Sequence, residues 1–327
     1  MPVSSFIPRF SAARSLHALR AGALGVLLLG SLVGLHGCGS GAPRADEQGA
    51  QLRGLQLPAY VPGTTDSTLL PLRVMTYNIR YNHPADSQWT ARRSRIASMI
   101  QFHEPAVLGT QEGQLHQLID LEDQLAGYER VGVGRKSGGG EFCALFYQPV
   151  RLELLEYDTF WLSEAPRNPE SQGWDAAFPR IATWARFRDR LTETVFLVLN
   201  AHLDHRGDTA RVESARLIRR RVAELVGTEP AVVMGDFNAE PQDRPIQLLT
   251  STGAPVLLRD AMTAAETPHY GPMSTFNAFE AQVVEDHRID YIFVRRGVRV
   301  LRHGHLSGRG WGSFPSDHLP VVADLAL

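Results

Sequence analysis

Cysteine is scarce, with 2 residues in a chain of 327. Cys38 and Cys143 stand alone in their segments, so neither a disulfide framework nor a cysteine-built metal site is supported. No HExxH or CxxC pattern occurs, which removes the common zinc arrangements. An excess of one charge is also lacking. Thirty-three basic and 35 acidic residues leave a formal net charge of −2, which argues against the strong field of a dedicated duplex-DNA binder but leaves room for a local basic patch. There is no internal repeat. Hydrophobic content of 43% and charged content of 21% are ordinary for a globular chain, so bulk disorder is excluded and a sizeable core can be buried.

One uncharged apolar run stands out near the start. Arg9, Arg14 and Arg20 precede "AGALGVLLLGSLVGL", Ala21 to Leu35, which has signal-peptide length and is short for a membrane span. Export is the expected fate. The run ends in "LHGC", Leu35 to Cys38, which resembles a bacterial lipobox and makes Cys38 the expected lipidation site. His36 occupies a position where that motif has a small residue, which keeps ordinary secretion and an uncleaved anchor open. The expected organisation is a signal peptide of lipoprotein type over 1–37, a Gly-, Ala-, Pro-, Gln- and Thr-rich tether over 38–71, and one catalytic domain over 72–327.

Beyond the tether the apolar periods alternate between two and 3.6. Strand-like runs are "LRVMTYNI", "AVLGTQE", "CALFYQ", "IATWARFRD", "TVFLVLNAHL", "AVVMGDFN", "RIDYIFV" and "VVADLAL". Helical spacing marks "WTARRSRIASMIQFH", through Ile96, Met99 and Ile100 with arginines on the other face. It also marks "TARVESARLIRRRVAELV", through Ala215, Ile218, Val222 and Leu225, with Arg219 to Arg221 facing mostly water. The class is α/β. Cys143 reads as a buried apolar residue of its strand.

Several of these strands finish in polar groups: Asn78, Glu112, His202, Asp236 with Asn238, and Asp317 with His318 just before the last strand. Singly each has a plain structural use. Asn78 suits a turn, Glu112 a helix start, "DFN" an Asx-turn, and His202 a satisfied core histidine. Together they describe an oxygen-rich site with imidazoles beside it, suited to a hard divalent cation. Sheet ends are where scattered segments converge on one pocket while the sheet holds the geometry rigid.

Six motifs in order, "MTYNIRY", "GTQEG", "NAHLDHRG", "GDFNAEP", "HRIDYIFV" and "PSDHLPV", resemble the endonuclease/exonuclease/phosphatase superfamily from about Leu72 to Leu327. That superfamily includes AP endonucleases, pancreatic-type deoxyribonucleases, sphingomyelinases, inositol-polyphosphate phosphatases and deadenylases. The resemblance implies a four-layer α/β sandwich, two packed mixed β-sheets flanked by helices, with the site at one sheet edge. It implies Glu112, helped by Asn78, as the principal ligand of Mg²⁺, with Mn²⁺ as an alternative. Asp236 matches the residue that activates water and Asn238 the amide that orients water or a phosphate oxygen. His202 and His318 match phosphate donors, Asp290 matches the residue holding the His318 ring, and Asp317 a metal or leaving-group residue.

The segment "FWLSEAPRNPESQGWDAAFPRIATWARF", Phe160 to Phe187, looks like the variable substrate loop, with Arg180, Trp174 and Asp175 as candidate contacts. Trp161 and Trp184 read as core or rim aromatics, and Asp204 with His205 as a local pair near the site. The implied function is an exported, metal-dependent phosphoesterase that hydrolyses a phosphodiester by in-line attack of an activated water. A phosphomonoesterase acting on sugar or lipid head-group phosphates is the second reading, and a catalytically inactive surface binding module is the alternative of another class. The expected partners are a phosphate-ester substrate, nucleic acid or phospholipid among the choices, and a membrane if Cys38 is lipidated. No protein partner is expected.

Overall fold

The computed structural model describes residues 70–83, 89–253, 256–280, 287–308 and 312–327. The expected signal peptide, the tether up to residue 69 and Cys38 lie outside the described residues. Among the described residues no helix is long and apolar enough to cross a membrane.

In chain order the elements are β1 (Leu72–Asn78), α1 (Trp89–His103), β2 (Val107–Gln114), α2 (Leu115–Gln124), β3 (Glu129–Val131), β4 (Gly134–Lys136), β5 (Gly139–Tyr147), β6 (Leu152–Trp161) and β7 (Ile181–Asp189). There follow β8 (Val195–His202), α3 (Asp208–Val226), β9 (Ala231–Asp236), α4 (Arg244–Thr250), β10 (Leu258–Asp260), α5 (Ala261–Ala264), β11 (Asp290–Arg295), β12 (Arg299–His305) and β13 (Val321–Ala326). One sheet runs β12-β13-β1-β2-β5-β3 with β4 on β5, and the other runs β10-β11-β9-β8-β7-β6. Parallel pairs β1–β2 and β8–β9 sit among antiparallel neighbours, so both sheets are mixed.

The cores show four layers. Leu72, Val74, Val107, Phe187, Phe196, Val198, Val232 and Met234 fill the space between the sheets. Ile96, Ile100, Leu118 and Leu121 of α1 and α2 cover the outer face of the first sheet with Met75 and Tyr77. Ala215, Ile218, Val222 and Leu249 of α3 and α4 cover the second with Leu197 and Leu199. Strand period two explains the sorting: along β8, Phe196 and Val198 face the other sheet while Leu197 and Leu199 face the helices.

The expected helices are present at nearly the expected bounds, but two arginines differ from the amphipathic reading. Arg92 is fully buried and donates to the carbonyls of Ile79 at 2.7 Å, Arg80 at 3.0 Å and Pro315 at 3.0 Å. Arg219 donates to Leu248 O and, at 2.7 Å, to Ser251 Oγ, closing the C-terminal end of α4. Both satisfy backbone carbonyls that helical periodicity cannot foresee. The expected substrate loop also shrinks, because Phe160 and Trp161 end β6 and Ile181 begins β7. Trp161 and Trp184 are core residues.

A polar layer bridges the sheets between the apolar interior and their ends. Asn200 Nδ2 donates to Thr110 O at 3.0 Å and Ala144 O at 2.9 Å, while its Oδ1 accepts from Gln111 Nε2 at 2.6 Å. Gly109 makes room, since a Cβ there would meet Asn200 Cγ at 2.8 Å. Removing a buried partner strands groups that water cannot reach. Asn200→Leu should therefore cost about 2–4 kcal/mol of stability. Urea unfolding followed by circular dichroism checks this, and a loss under about 1 kcal/mol would deny Asn200 its bridging role.

Candidate active site

The inter-sheet rows that are apolar deeper in the sandwich become polar at one end. Along β1 the row reads Leu72, Val74, Thr76, Asn78; along β8 it reads Phe196, Val198, Asn200, His202; along β9 it reads Val232, Met234, Asp236; along β11 it ends at Asp290. The candidate residues are thus the last members of core-facing rows. Register brings them together. His202 pairs with Asp236 across β8–β9, and Asp236 with Asp290 across β9–β11, while Asn78 arrives from the facing sheet. Gly235 permits the approach at this end, because its φ is 146° and a Cβ there would fall 1.9 Å from Ala201 O.

Parity alone would point Glu112 away from the site. Between Thr110 and Gly113 the β2–β5 ladder shifts register, and Glu112 has a φ of 61°. This bulge turns its carboxylate inward, where Oε1 accepts from Asn78 Nδ2 at 3.1 Å and Oε2 from Tyr81 N at 3.1 Å. Asp317 and His318 come on the loop entering β13. Ser316 Oγ donates to Asn78 O at 2.7 Å, and Asn277 N donates to Asp317 O at 2.7 Å, so two segments pin that loop.

His318 joins the halves of the site. Its Nδ1 lies 2.9 Å from Asp290 Oδ2, and its Nε2 lies 3.8 Å from Asp236 Oδ2. Burial opposes charge on the ring, but Asp290, Asp236 and Asp317 outweigh it and push the imidazole up to about 10. The ring is therefore a cation at neutral pH that donates from Nδ1 to Asp290 and faces Asp236 across an ion pair. Asp236 is itself pushed up to about 7, by burial first and by Asp290 second. It accepts from Asn78 Nδ2 at 3.0 Å and Asn238 N at 2.9 Å. His202 behaves in the opposite way. Burial and then Arg180 and Arg135 hold it well below the usual range, so it is neutral. Arg180 Nη1 stands 3.1 Å from its Nδ1 and 3.2 Å from its Nε2, and that Nε2 lies 3.4 Å from Asp236 Oδ2.

Around this centre lies a cavity of about 800 Å³ lined by Arg80, Arg135, Arg180, Arg206, Tyr81, Phe178, Phe276, Phe279, Glu112, Asp236, Asp317, His202 and His318 among others. Of the three candidate substrate contacts, Arg180 lines it and the other two do not. Trp174 packs against the core beneath α3, and Asp175 accepts from Ala210 N at 2.6 Å and Thr209 N at 3.2 Å at the start of that helix. Asp204 and His205 both bond Arg180, at 3.2 and 2.9 Å. Arg80, Arg135, Glu141 and Phe178 were missed from sequence. Arg80 lies inside the quoted "NIRY", but a glycine-rich hairpin delivers Arg135 and Glu141, and no local pattern announces that.

Two acid groupings could hold a metal. Asp236, Asp290 and His318 bring ligand atoms within 4.8 Å of one another. Cationic His318 already neutralises that group, however, and repels a further cation. Glu112 and Asp317 converge instead on the Arg80 guanidinium, at 3.6 and 3.5 Å. A positive charge between two carboxylates, with the Asn78 amide adjoining, is the donor chemistry that a hard divalent ion fits.

Comparison with known proteins agrees with this geometry. The sequence profile described as the Endonuclease/Exonuclease/phosphatase family matches residues 75–318. A solved structure described as an endonuclease/exonuclease/phosphatase from Bacteroides vulgatus is 39% identical with a TM-score of 0.75, covering 79% of this chain and 99% of that one. A mannosyl-6-phosphatase of Bacteroides thetaiotaomicron is 38% identical with a TM-score of 0.73, covering 78% and 100%. Among curated proteins, nocturnin of Drosophila melanogaster is 26% identical over 283 residues, 73% of this chain and 42% of that protein, so this chain spans less than half of its length. The match extends from within β1 to His318 and so encloses every strand end that builds the centre: the chain belongs to the Endonuclease/Exonuclease/phosphatase family.

Proposed function

We propose that the chain is a metal-dependent phosphomonoesterase acting on a small phosphorylated sugar or a similar polyol. The cavity carries this reading. Its volume of about 800 Å³ suits a small molecule, and the guanidinium groups of Arg80, Arg135 and Arg180 line it beside cationic His318. A phosphomonoester carries close to two negative charges at neutral pH, so clustered cations favour it over a singly charged diester. Phe178, Phe276 and Phe279 offer apolar faces for a sugar ring. The 38% identity to a mannosyl-6-phosphatase supports the same substrate class. The phosphodiester implied by the motifs becomes the second reading.

Mg²⁺, or Mn²⁺, held by Glu112 and Asp317 beside Asn78 would polarise a phosphoryl oxygen and offset its charge. The chain's own groups account for the rest. Asp236, whose carboxyl at about 7 is a stronger base than an ordinary one, takes the proton of the attacking water. Asn238, whose backbone N–H donates to Asp236 Oδ1 and which lines the cavity, orients that water. His318 donates from Nε2 to the oxygens that gain charge as phosphorus becomes five-coordinate, with Asp290 fixing its ring. His202 and Arg180 donate from the other side of the cavity. We also propose that the chain is exported and lipid-anchored at Cys38, on the strength of the arginine-flanked apolar run ending in "LHGC".

An assay of hexose phosphates against nucleic acids, phospholipids and model diesters, each with Mg²⁺, Mn²⁺ or Ca²⁺, tests the substrate class. Hexose phosphates should give the highest kcat/KM, and preference for a diester would restore the second reading. Glu112→Gln should remove most turnover with the fold intact, as should chelation; full activity in excess chelator would sink the metal-dependent mechanism.

His318→Ala should lower kcat by roughly 10²–10³-fold, Asp290→Asn by less, and the double variant by far less than the product. In the parent enzyme the donor is present below the imidazole's raised value and is lost as pH rises through about 10. The alkaline limb should move to lower pH in Asp290→Asn, because the carboxylate that chiefly raises the ring has gone. Strictly multiplicative rate losses, or an unmoved limb, would break the proposed pair.

Intact mass of the mature protein examines the address. A lipid on an N-terminal Cys38, absent in Cys38→Ser, is expected, and a mature chain starting elsewhere without that lipid would exclude anchoring.

A further inference from the structure

Outside the phosphoesterase centre, three histidines meet at one edge of the first sheet. His303 and His305 are two residues apart on β12 and so share a face of that edge strand. The segment after α5 runs alongside: Glu266 N donates to Val300 O at 2.8 Å, Tyr270 N to His303 O at 3.1 Å, and His305 N to Tyr270 O at 2.8 Å. Gly271 allows that approach, since its φ is 93° and a Cβ would lie 2.0 Å from His305 O. The segment brings in His269, whose ring centroid lies 5.2 Å from that of His303 and 4.5 Å from that of His305. One ring nitrogen of each histidine lies within 4.8 Å of one on each of the others.

We propose that His269, His303 and His305 form a second metal site, one that takes a nitrogen-preferring divalent transition ion of the Zn²⁺ class. The protonation pattern argues for it. Pro272 O lies 3.1 Å from His269 Nε2 and 2.7 Å from His305 Nδ1, and a carbonyl can only accept. Both rings therefore carry their protons on that side and keep lone pairs on His269 Nδ1 and His305 Nε2. A carbonyl behind each ring is the usual device for orienting a metal-binding imidazole. His305 Nε2 is buried and has no hydrogen-bond partner among the described residues, which a closed hydrogen-bonded cluster would not leave. His269 Nδ1 and His303 Nδ1 are 3.0 Å apart. Two nitrogens on a tetrahedral ion with bonds of about 2.0–2.1 Å are roughly 3.3 Å apart, so little movement is needed. Burial and the neighbouring histidines hold His303 at about 2 and His305 at about 3, so these two rings are neutral and ready to ligate. Arg288 opposes a cation here, but it is paired with Asp260.

Three imidazoles without a carboxylate disfavour Mg²⁺ and Ca²⁺, and the lack of a thiolate disfavours Cu⁺. The ion would brace the 266–272 segment against β12. That segment continues into Thr275 and Phe276; Thr275 Oγ1 accepts from Ile289 N at 2.9 Å and Asp290 N at 3.0 Å, and Phe276 packs edge-on to His318 at 5.1 Å. The brace would thereby steady the catalytic loop without touching substrate.

Calorimetric titration of the chelator-treated full chain with Zn²⁺ or Co²⁺, in a millimolar excess of Mg²⁺, tests the site, with the visible spectrum of Co²⁺ as a second reading. One equivalent of Zn²⁺ should bind, and Co²⁺ should show the strong bands of a tetrahedral nitrogen-rich site. His303→Asn and His305→Asn should each weaken binding about 100-fold or more, since losing even a group behind a ligand costs roughly 10–100-fold. Should those buried variants not fold, His269→Gln, at a partly exposed position, carries the same expectation. Asp290→Asn should retain the equivalent. Absence of a Zn²⁺ equivalent in excess Mg²⁺ overturns the proposal. So does an equivalent that survives in the folded histidine variants, or one lost in Asp290→Asn and kept in His269→Gln.

Discussion

Two carboxylates, Asp236 and Asp290, face each other on adjacent antiparallel strands in a buried layer at the floor of the cavity. Such a pair cannot both ionise without a cation, and the cation is His318, delivered by a loop of the opposite sheet. The centre therefore exists only when both sheets are assembled. Much of the surrounding structure serves that docking. Arg92 ties the turn after β1 to the 315–318 loop, Ser316 bonds Asn78 O, and Thr275 holds the start of β11 through two backbone amides.

The space between the sheets changes character in steps. Valine, methionine and leucine fill its depth; Thr76, Gln111 and Asn200 form a hydrogen-bonded layer above them; Asn78, His202, Asp236 and Asp290 form the ionic end. The middle layer keeps charged groups from bearing directly on the apolar core and gives their backbone a rigid footing. The cavity wall is built differently. Arg135 and Glu141 belong to a hairpin and Phe178 to a loop, segments that can vary while the strand-borne centre stays constant.

Much of this was legible in the chain itself. Period-two runs marked eight strands, 3.6-residue spacing marked α1 and α3, and the polar residues that close the runs named Asn78, His202 and Asp236, which core-facing parity carries inward, while Asp290 was implied by the motif resemblance. Short edge strands such as β3, β4 and β10 have three residues each, too few for a period to register. Arg92 and Arg219 looked solvated because their carbonyl partners lie in other segments.

What parity could not supply was decided by tertiary contact. Glu112 turns inward through a bulge that depends on its pairing with β5, and Asp175 binds helix amides because α3 begins beside it. His318 becomes a cation because two carboxylates from the other sheet surround it. A sequence determines the order and facing of groups along each strand, since those follow from local backbone geometry. Which groups meet, and therefore which protonation states they hold, depends on distances between segments far apart in the chain, and those distances exist only in the assembled sandwich.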